Sequence, residues 1–237
     1  GQILQSQLET PESEQMGPTP EAGNAYDDGR LVYRSVRLWL LSLVIVFWAL
    51  TYVTVSGYVP TYLVQHHRLD PAHAAAVTSY FWIVFTISVF ISGWLSDKFL
   101  VRKLVTAFGG VTTGLCFFVG ANLAVDVSDA SLILVWSMTG FFAGFIYPSW
   151  CAIYSETAES ISPHGVGRAF GITATLSPIA GLFLNLGLPQ VVNHWGWSTW
   201  MMIAGGCCFC VAVLVGVGKG PWWVTREPRN EEPAIAP

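Results

Sequence analysis

The chain has 237 residues, of which 53% are hydrophobic and only 11% charged, with eleven Trp and a formal net charge of −4. Soluble domains carry roughly a quarter charged residues, so a soluble interaction module or nucleic-acid-binding domain is excluded. Runs of about 20 apolar residues are what a bilayer's hydrocarbon core asks of a helix. The composition therefore reads as an all-α integral membrane protein, with the lipid bilayer as its solvent.

Residues 1–30 are rich in Glu, Gln, Pro, Ser and Gly and cannot bury enough apolar surface to fold, so a flexible linker or tail is expected there. The chain does not begin with Met, and this stretch lacks the basic-then-apolar layout of a signal peptide. The expectation is a piece whose true start lies upstream. A six-helix bundle is expected over residues 31–222, with a polar tail over 223–237.

The first span is expected over 36–62, opened by Arg34 and Arg37 and closed by Tyr58, Pro60 and Tyr62. Asp70-Pro71 reads as a helix cap followed by proline at the first helical position, leading into a second span over 74–95. The third covers 104–123 and the fourth 131–154, each with glycines four apart (Gly110 and Gly114, Gly140 and Gly144) that allow membrane helices to approach closely. Ser162-Pro163 repeats the cap-then-proline signal before a fifth span over 169–188. The sixth covers 199–217, followed by Trp222 and Trp223 as interface anchors.

If both ends of the chain share a side with the loop around Gly93, ten of the eleven Lys and Arg fall on that side and only Arg68 on the other. Cytoplasmic loops carry the Lys and Arg excess, so both termini are expected in the cytoplasm of a cell (plasma or inner) membrane.

That loop, Gly93 to Lys103, reads GWLSDKFLVRK. Gly93, Leu95, Ser96, Asp97, Arg102 and Lys103 resemble the G-x-L-S-D-x-x-x-R-[RK] pattern between the second and third helices of each half of a major facilitator superfamily transporter, with one extra residue before Arg102. Six spans around such a loop resemble one six-helix half. The polar leader resembles the linker between halves, and the stretch from Gly187 to Trp200 resembles the connection between the family's last two helices. The resemblance implies the C-terminal half, spans seven to twelve, partnered by an N-terminal half. The implied function is alternating-access transport of a small organic solute, whether metabolite uptake or drug efflux. The alternative from the residues is a self-contained six-span protein acting as a homodimer.

The resemblance further implies a cytoplasmic gate of Gly93, Asp97, Arg102, Lys103, Glu156 and Arg168. In it Asp97 would meet the positive end of the helix starting near Gly165, and Arg102 would pair with Glu156. The family's cavity-lining helices are the first, second, fourth and fifth of each half. They suggest Trp48, Thr51 and Tyr52; Tyr80, Trp82 and Phe85; Phe141, Phe142 and Phe145; Thr175 and Ser177, with Asn185 nearer the outer end. Tyr52 and Tyr80 are the favoured polar aromatics.

Inside the six apolar cores there is no Asp, Glu, Lys, Arg or His. Ionisable residues in spans usually mark ion pathways, so a proton or other coupling ion would find its carboxylate in the partner half, and a uniporter is equally open. His66, His67 and His73 are expected as surface histidines, and the five Cys as buried small hydrophobes. No spacing suits a metal or cofactor. An intramembrane protease would need paired Asp, Ser with His, or H-E-x-x-H inside the spans, none of which is present, so an enzyme is disfavoured.

Overall fold

The computed structural model describes residues 30–162 and 164–218, and every regular element among them is helical. Apart from Arg30, the linker expected over residues 1–30 lies outside the described residues, as do the tail and Trp222 and Trp223. A single turn, α1 (Leu31–Arg34), precedes α2 (Val36–Val53), whose Ser35 cap accepts from Leu38 N at 3.4 Å. One π turn, Thr54–Tyr58, links α2 to α3 (Val59–His66). Pro60 explains it. A proline inside a helix lacks an N–H and crowds the carbonyl four residues back, here that of Ser56, and the wider turn makes room. The Ser56 hydroxyl donates to Tyr52 O at 2.6 Å in the same stretch.

Helix α4 (Pro71–Phe99) opens on the expected cap, with Asp70 accepting from Ala72 N at 3.0 Å. It stops at Leu100, which adopts the left-handed conformation (φ 53°). Only Leu100 and Val101 separate it from α5 (Arg102–Ala121). Helices α6 (Asp129–Ala143) and α7 (Tyr147–Ile161) make up the fourth apolar stretch, interrupted where Pro148 falls in the first turn of α7.

The last helix, α8 (Val166–Val217), runs for 52 residues. At 1.5 Å per residue that is about 78 Å, more than twice the hydrocarbon thickness. Gly196 alone breaks it, with φ 80° and ψ 172°, a region open essentially only to glycine. A loop was expected from Gly187 to Trp200; instead helix continues through Pro189 up to that single residue. Proline is tolerated in membrane helices because neighbouring groups satisfy the freed carbonyl.

The two arms of α8 run in opposite directions. Along the first, Ala169 O accepts from Tyr154 at 2.8 Å, Gly181 packs on Val53, and Asn185 meets Tyr58. Along the second, Trp197 bonds Gln65, Gly205 packs on Gly114, Ala212 on Gly110, and Gly218 O accepts from Lys103 Nζ. The bundle thus has an end marked by Arg102 and a far end marked by Gln65. Five helices among the described residues, counting α2–α3 and α6–α7 as one each, are long and apolar enough to cross a membrane.

Two glycine seams draw the helices together. A Cβ on Gly110 would lie 2.8 Å from Cys208 O, and one on Gly114 2.9 Å from Gly205 O, which fixes α5 against α8. A Cβ on Gly140 would strike the Phe81 carbonyl, and on Gly144 it would lie 2.7 Å from Ser88 Cβ, fixing α6 against α4. Ser92 crosses the same seam, donating to Gly144 O at 2.8 Å. Trp136, Trp150, Tyr62, Tyr154 and Phe117 fill the interior.

Candidate functional site

A cavity of about 700 Å³ lies between α2, α4, α7 and the first arm of α8. Trp48, Ala49 and Tyr52 form one wall and Phe85 another; Tyr147 and Trp150 rise from α7, and Phe170, Thr173, Ser177 and Pro178 from α8. No lining residue is charged. Trp150 is fixed by its indole N–H, which donates to Leu41 O at 3.0 Å, and Trp48 stacks on Phe85 with centroids 6.1 Å apart. Hydroxyls of Tyr52, Tyr147, Thr173 and Ser177 are the polar groups on an otherwise aromatic surface. Such a surface stacks on a ring or apolar body and orients it with a few hydrogen bonds.

Of the residues suggested from sequence, Trp48, Tyr52, Phe85 and Ser177 line this cavity. Trp82 stands behind it, edge-on to Tyr52 at 5.3 Å. Tyr80 does not line it. Val77, Phe81, Ser88 and Ser92 on α4 are buried, whereas Tyr80, Ile83, Ile87 and Trp94 are exposed, so Tyr80 belongs to the opposite face of the helix. Asn185 caps the cavity towards the far end rather than lining it: Tyr58 Oη donates to its Oδ1 at 2.8 Å, and its amide donates to Gly181 O at 2.9 Å. Thr51 instead contacts Cys208 Sγ at 3.0 Å, and Thr175 bonds its own helix at Gly171 O. Phe141, Phe142 and Phe145 pack with one another, and Phe142 and Phe145 also meet Phe108 on α5. The break before Pro148 redirects α7, so the residues facing the cavity are Tyr147 and Trp150, which sequence reasoning missed. Pro148 was the available signal for it.

Below the cavity, towards the Arg102 end, Ser42, Tyr154 and Ala169 tie α2, α7 and α8 together. Tyr154 Oη lies 2.9 Å from Ser42 Oγ and 2.8 Å from Ala169 O. Further along α7, Glu156 bonds Arg102, whose other terminal nitrogen lies 3.3 Å from Asp97. The tight Leu100–Val101 connection holds Arg102 beside the end of α4. One guanidinium thus joins three helices, α4, α5 and α7.

Each of the other residues of the expected gate has its own surroundings. Asp97 lies 3.3 Å from Arg102, and Gly165 at the start of α8 packs against Val32 of α1. A Cβ on Gly93 would meet nothing within 4 Å among the described residues. Lys103 is buried, its ammonium donating to Gly218 O at the end of α8. A cation suits that carbonyl terminus. Arg168 lies half-buried in the first turn of α8.

At the far end, His67 is buried, contrary to the surface placement expected of it. Its Nδ1 lies 3.2 Å from Val125 O and its Nε2 2.9 Å from Tyr62 Oη. His73 does lie nearer the surface, 3.6 Å from Asp129. Cys207 and Cys208 are buried as expected, Cys116 and Cys151 partly so, and Cys210 is exposed.

The sequence matches the Major Facilitator Superfamily over residues 40–236. It is 25% identical over 200 residues to a membrane sensor protein, UhpC, of Salmonella typhimurium, covering 81% of this chain and 41% of that one. A nitrite extrusion protein of Bacillus subtilis is 28% identical over 169 residues, covering 70% and 40%. A probable hexose phosphate transport protein of Chlamydia trachomatis is 25% identical over 195 residues, covering 79% and 41%. The chain spans about two fifths of the length of these curated relatives. With a helical bundle, a family match across most of its length and transporter-named relatives, the chain belongs to the Major Facilitator Superfamily, among transporters and their kin rather than enzymes.

Proposed function

We propose that this chain is the C-terminal six-helix half of a twelve-span transporter, which moves a small organic solute by alternating access together with an N-terminal half. The observation that carries this reading is the position of an uncharged aromatic cavity directly above an ionic cluster joining three helices. The opposed arms of α8 favour two crossings in that helix and therefore six in all. Both chain ends and the cluster are assigned to the cytoplasm, because Arg34, Arg37, Lys98, Arg102, Lys103 and Arg168 gather at that end while Arg68 stands at the other.

The cavity walls select the body of the solute rather than its charge. Two relatives are named for anions, hexose phosphate and nitrite. A fixed cation for such a group would have to come from the partner half, as would any carboxylate for proton coupling. Arg102, with Asp97 and Glu156, acts as a latch that closes the cytoplasmic side and parts when that side opens, and Gly93, Lys103 and Arg168 belong to the same cytoplasmic gate.

The test needs no knowledge of the solute. A single Cys at Ser177, in a background lacking the native cysteines, is probed with a membrane-impermeant thiol reagent applied from either side. Labelling from both sides, with Arg102→Ala or Glu156→Gln increasing the cytoplasmic rate, is expected. Labelling from one side only, unaffected by either change, would refute alternating access and the latch.

A further inference from the structure

His67 sits in a hydrogen-bond arrangement able to take up a proton without giving up a partner. Its Nδ1 faces the Val125 carbonyl at 3.2 Å. A carbonyl only accepts, so this nitrogen keeps its hydrogen in either protonation state. Its Nε2 lies 2.9 Å from Tyr62 Oη, which is itself 3.0 Å from Gly120 O. The phenol has one hydrogen and two acceptors within reach. When the imidazole is neutral, that hydrogen goes to Nε2. When a proton from water occupies Nε2, the new N–H donates to the phenol oxygen, and the phenol hydrogen turns to Gly120 O. Tyr62 keeps its own proton throughout, and no heavy atom has to move.

We propose that His67 and Tyr62 form a proton-binding site at the far end of the bundle, whose occupancy moves the Tyr62 hydroxyl from the imidazole to the Gly120 carbonyl and so ties α3 to the end of α5. The surroundings are built for it. Tyr62 is fully buried and held between Trp136 and Trp197, with ring centroids 6.4 and 5.9 Å away, so its oxygen stays in place for both states. Burial, helped by His66 at 4.9 Å, holds the His67 imidazole below its usual range, and the Val125 carbonyl pulls it part of the way back. Proton uptake there therefore needs more acid than at an ordinary imidazole. The other acidic, basic and histidine groups among the described residues at this end are Arg68, Asp70, Asp126 next to Val125, His194 and the His73–Asp129 pair. The site stands independently of the transport reading.

The decisive measurement is ring 15N NMR of the histidines of the intact protein in detergent micelles across a pH series. His67 precedes Arg68 in the only His-Arg pair of the chain, so paired labelling of those two residue types assigns it without mutation. The expected result is an Nδ1–H tautomer in the neutral state and a midpoint below the ordinary range of an imidazole. Tyr62→Phe should lower proton affinity at His67 up to about tenfold further, because the acceptor lost by the charged N–H makes a stronger bond than the donor lost by the neutral ring. An Nε2–H tautomer in the neutral state, or a midpoint indifferent to Tyr62→Phe, would overturn the proposal. The tautomer is read on the unmodified protein, so it decides the matter even where the variant fails to fold.

Discussion

Gly140 and Gly93 lie on neighbouring helices of the same bundle, yet replacing each by Ala should have opposite effects. A Cβ on Gly140 strikes the carbonyl of Phe81, with the Phe81 Cα 3.1 Å away. Backbone cannot rotate aside as a side chain can, so α4 and α6 must separate along a seam that Ser88 and Ser92 also bridge. Overpacking of this kind costs about 1–3 kcal/mol, and a backbone obstacle puts it near the upper end. Alanine returns about 1 kcal/mol of helix propensity, leaving a net loss of about 2 kcal/mol. At Gly93 there is nothing within 4 Å among the described residues, so only the gain of about 1 kcal/mol remains. The two variants should then differ by about 3 kcal/mol, more than a hundredfold in the folded-to-unfolded ratio. Thermal unfolding in one detergent, followed by Trp fluorescence, measures the difference. A Gly140→Ala variant that melts with or above wild type would show that the seam is not close-packed.

Further predictions use the same assay. Gly196→Ala forces a residue with a Cβ into a backbone region reserved for glycine, and should cost about 1–3 kcal/mol; unchanged melting would mean the turn between the two arms lies elsewhere. Tyr154→Phe removes the hydroxyl between Ser42 and Ala169 O, and should cost about 1–2 kcal/mol, whereas Tyr80→Phe, with no polar contact among those described, should leave melting unaltered. Because His67 binds a proton less readily folded than unfolded, its contribution to stability is present above the usual pKa of 6.5 and is lost as pH falls through the lower folded value. His67→Gln should flatten that acid-side decline; an unchanged slope would place its origin at another residue.

The existence of the helices was legible in the sequence, because apolar length is what a bilayer demands and Asp70-Pro71 announces its own helix start. Which side of each helix faces inward was not. In water, polar residues mark the outside, but lipid is as apolar as a protein interior, so Tyr80 and Phe81 give the same signal although one is exposed and the other buried. The same ambiguity hid Tyr147 and Trp150 behind the phenylalanines of α6. The Arg102–Glu156 pairing was expected through a family resemblance, since the two residues lie 54 positions apart and no local rule joins them. His67 was misplaced for a similar reason: what buries it, the Val125 carbonyl and the phenol of Tyr62 with Trp136 behind it, includes partners contributed by distant segments.

The one-residue turn at Gly196 has a mechanical consequence. A single residue spans at most about 3.6 Å, so the two arms of α8 are joined with no slack at the far end. Tilting the first arm, which carries Phe170, Thr173 and Ser177, must pull on the second at once. That second arm is clamped to α5 by Gly205 against Gly114 and by Lys103 on Gly218 O. Movement of the cavity wall is thereby transmitted to α5, whose first residue, Arg102, holds the ionic cluster at the opposite end.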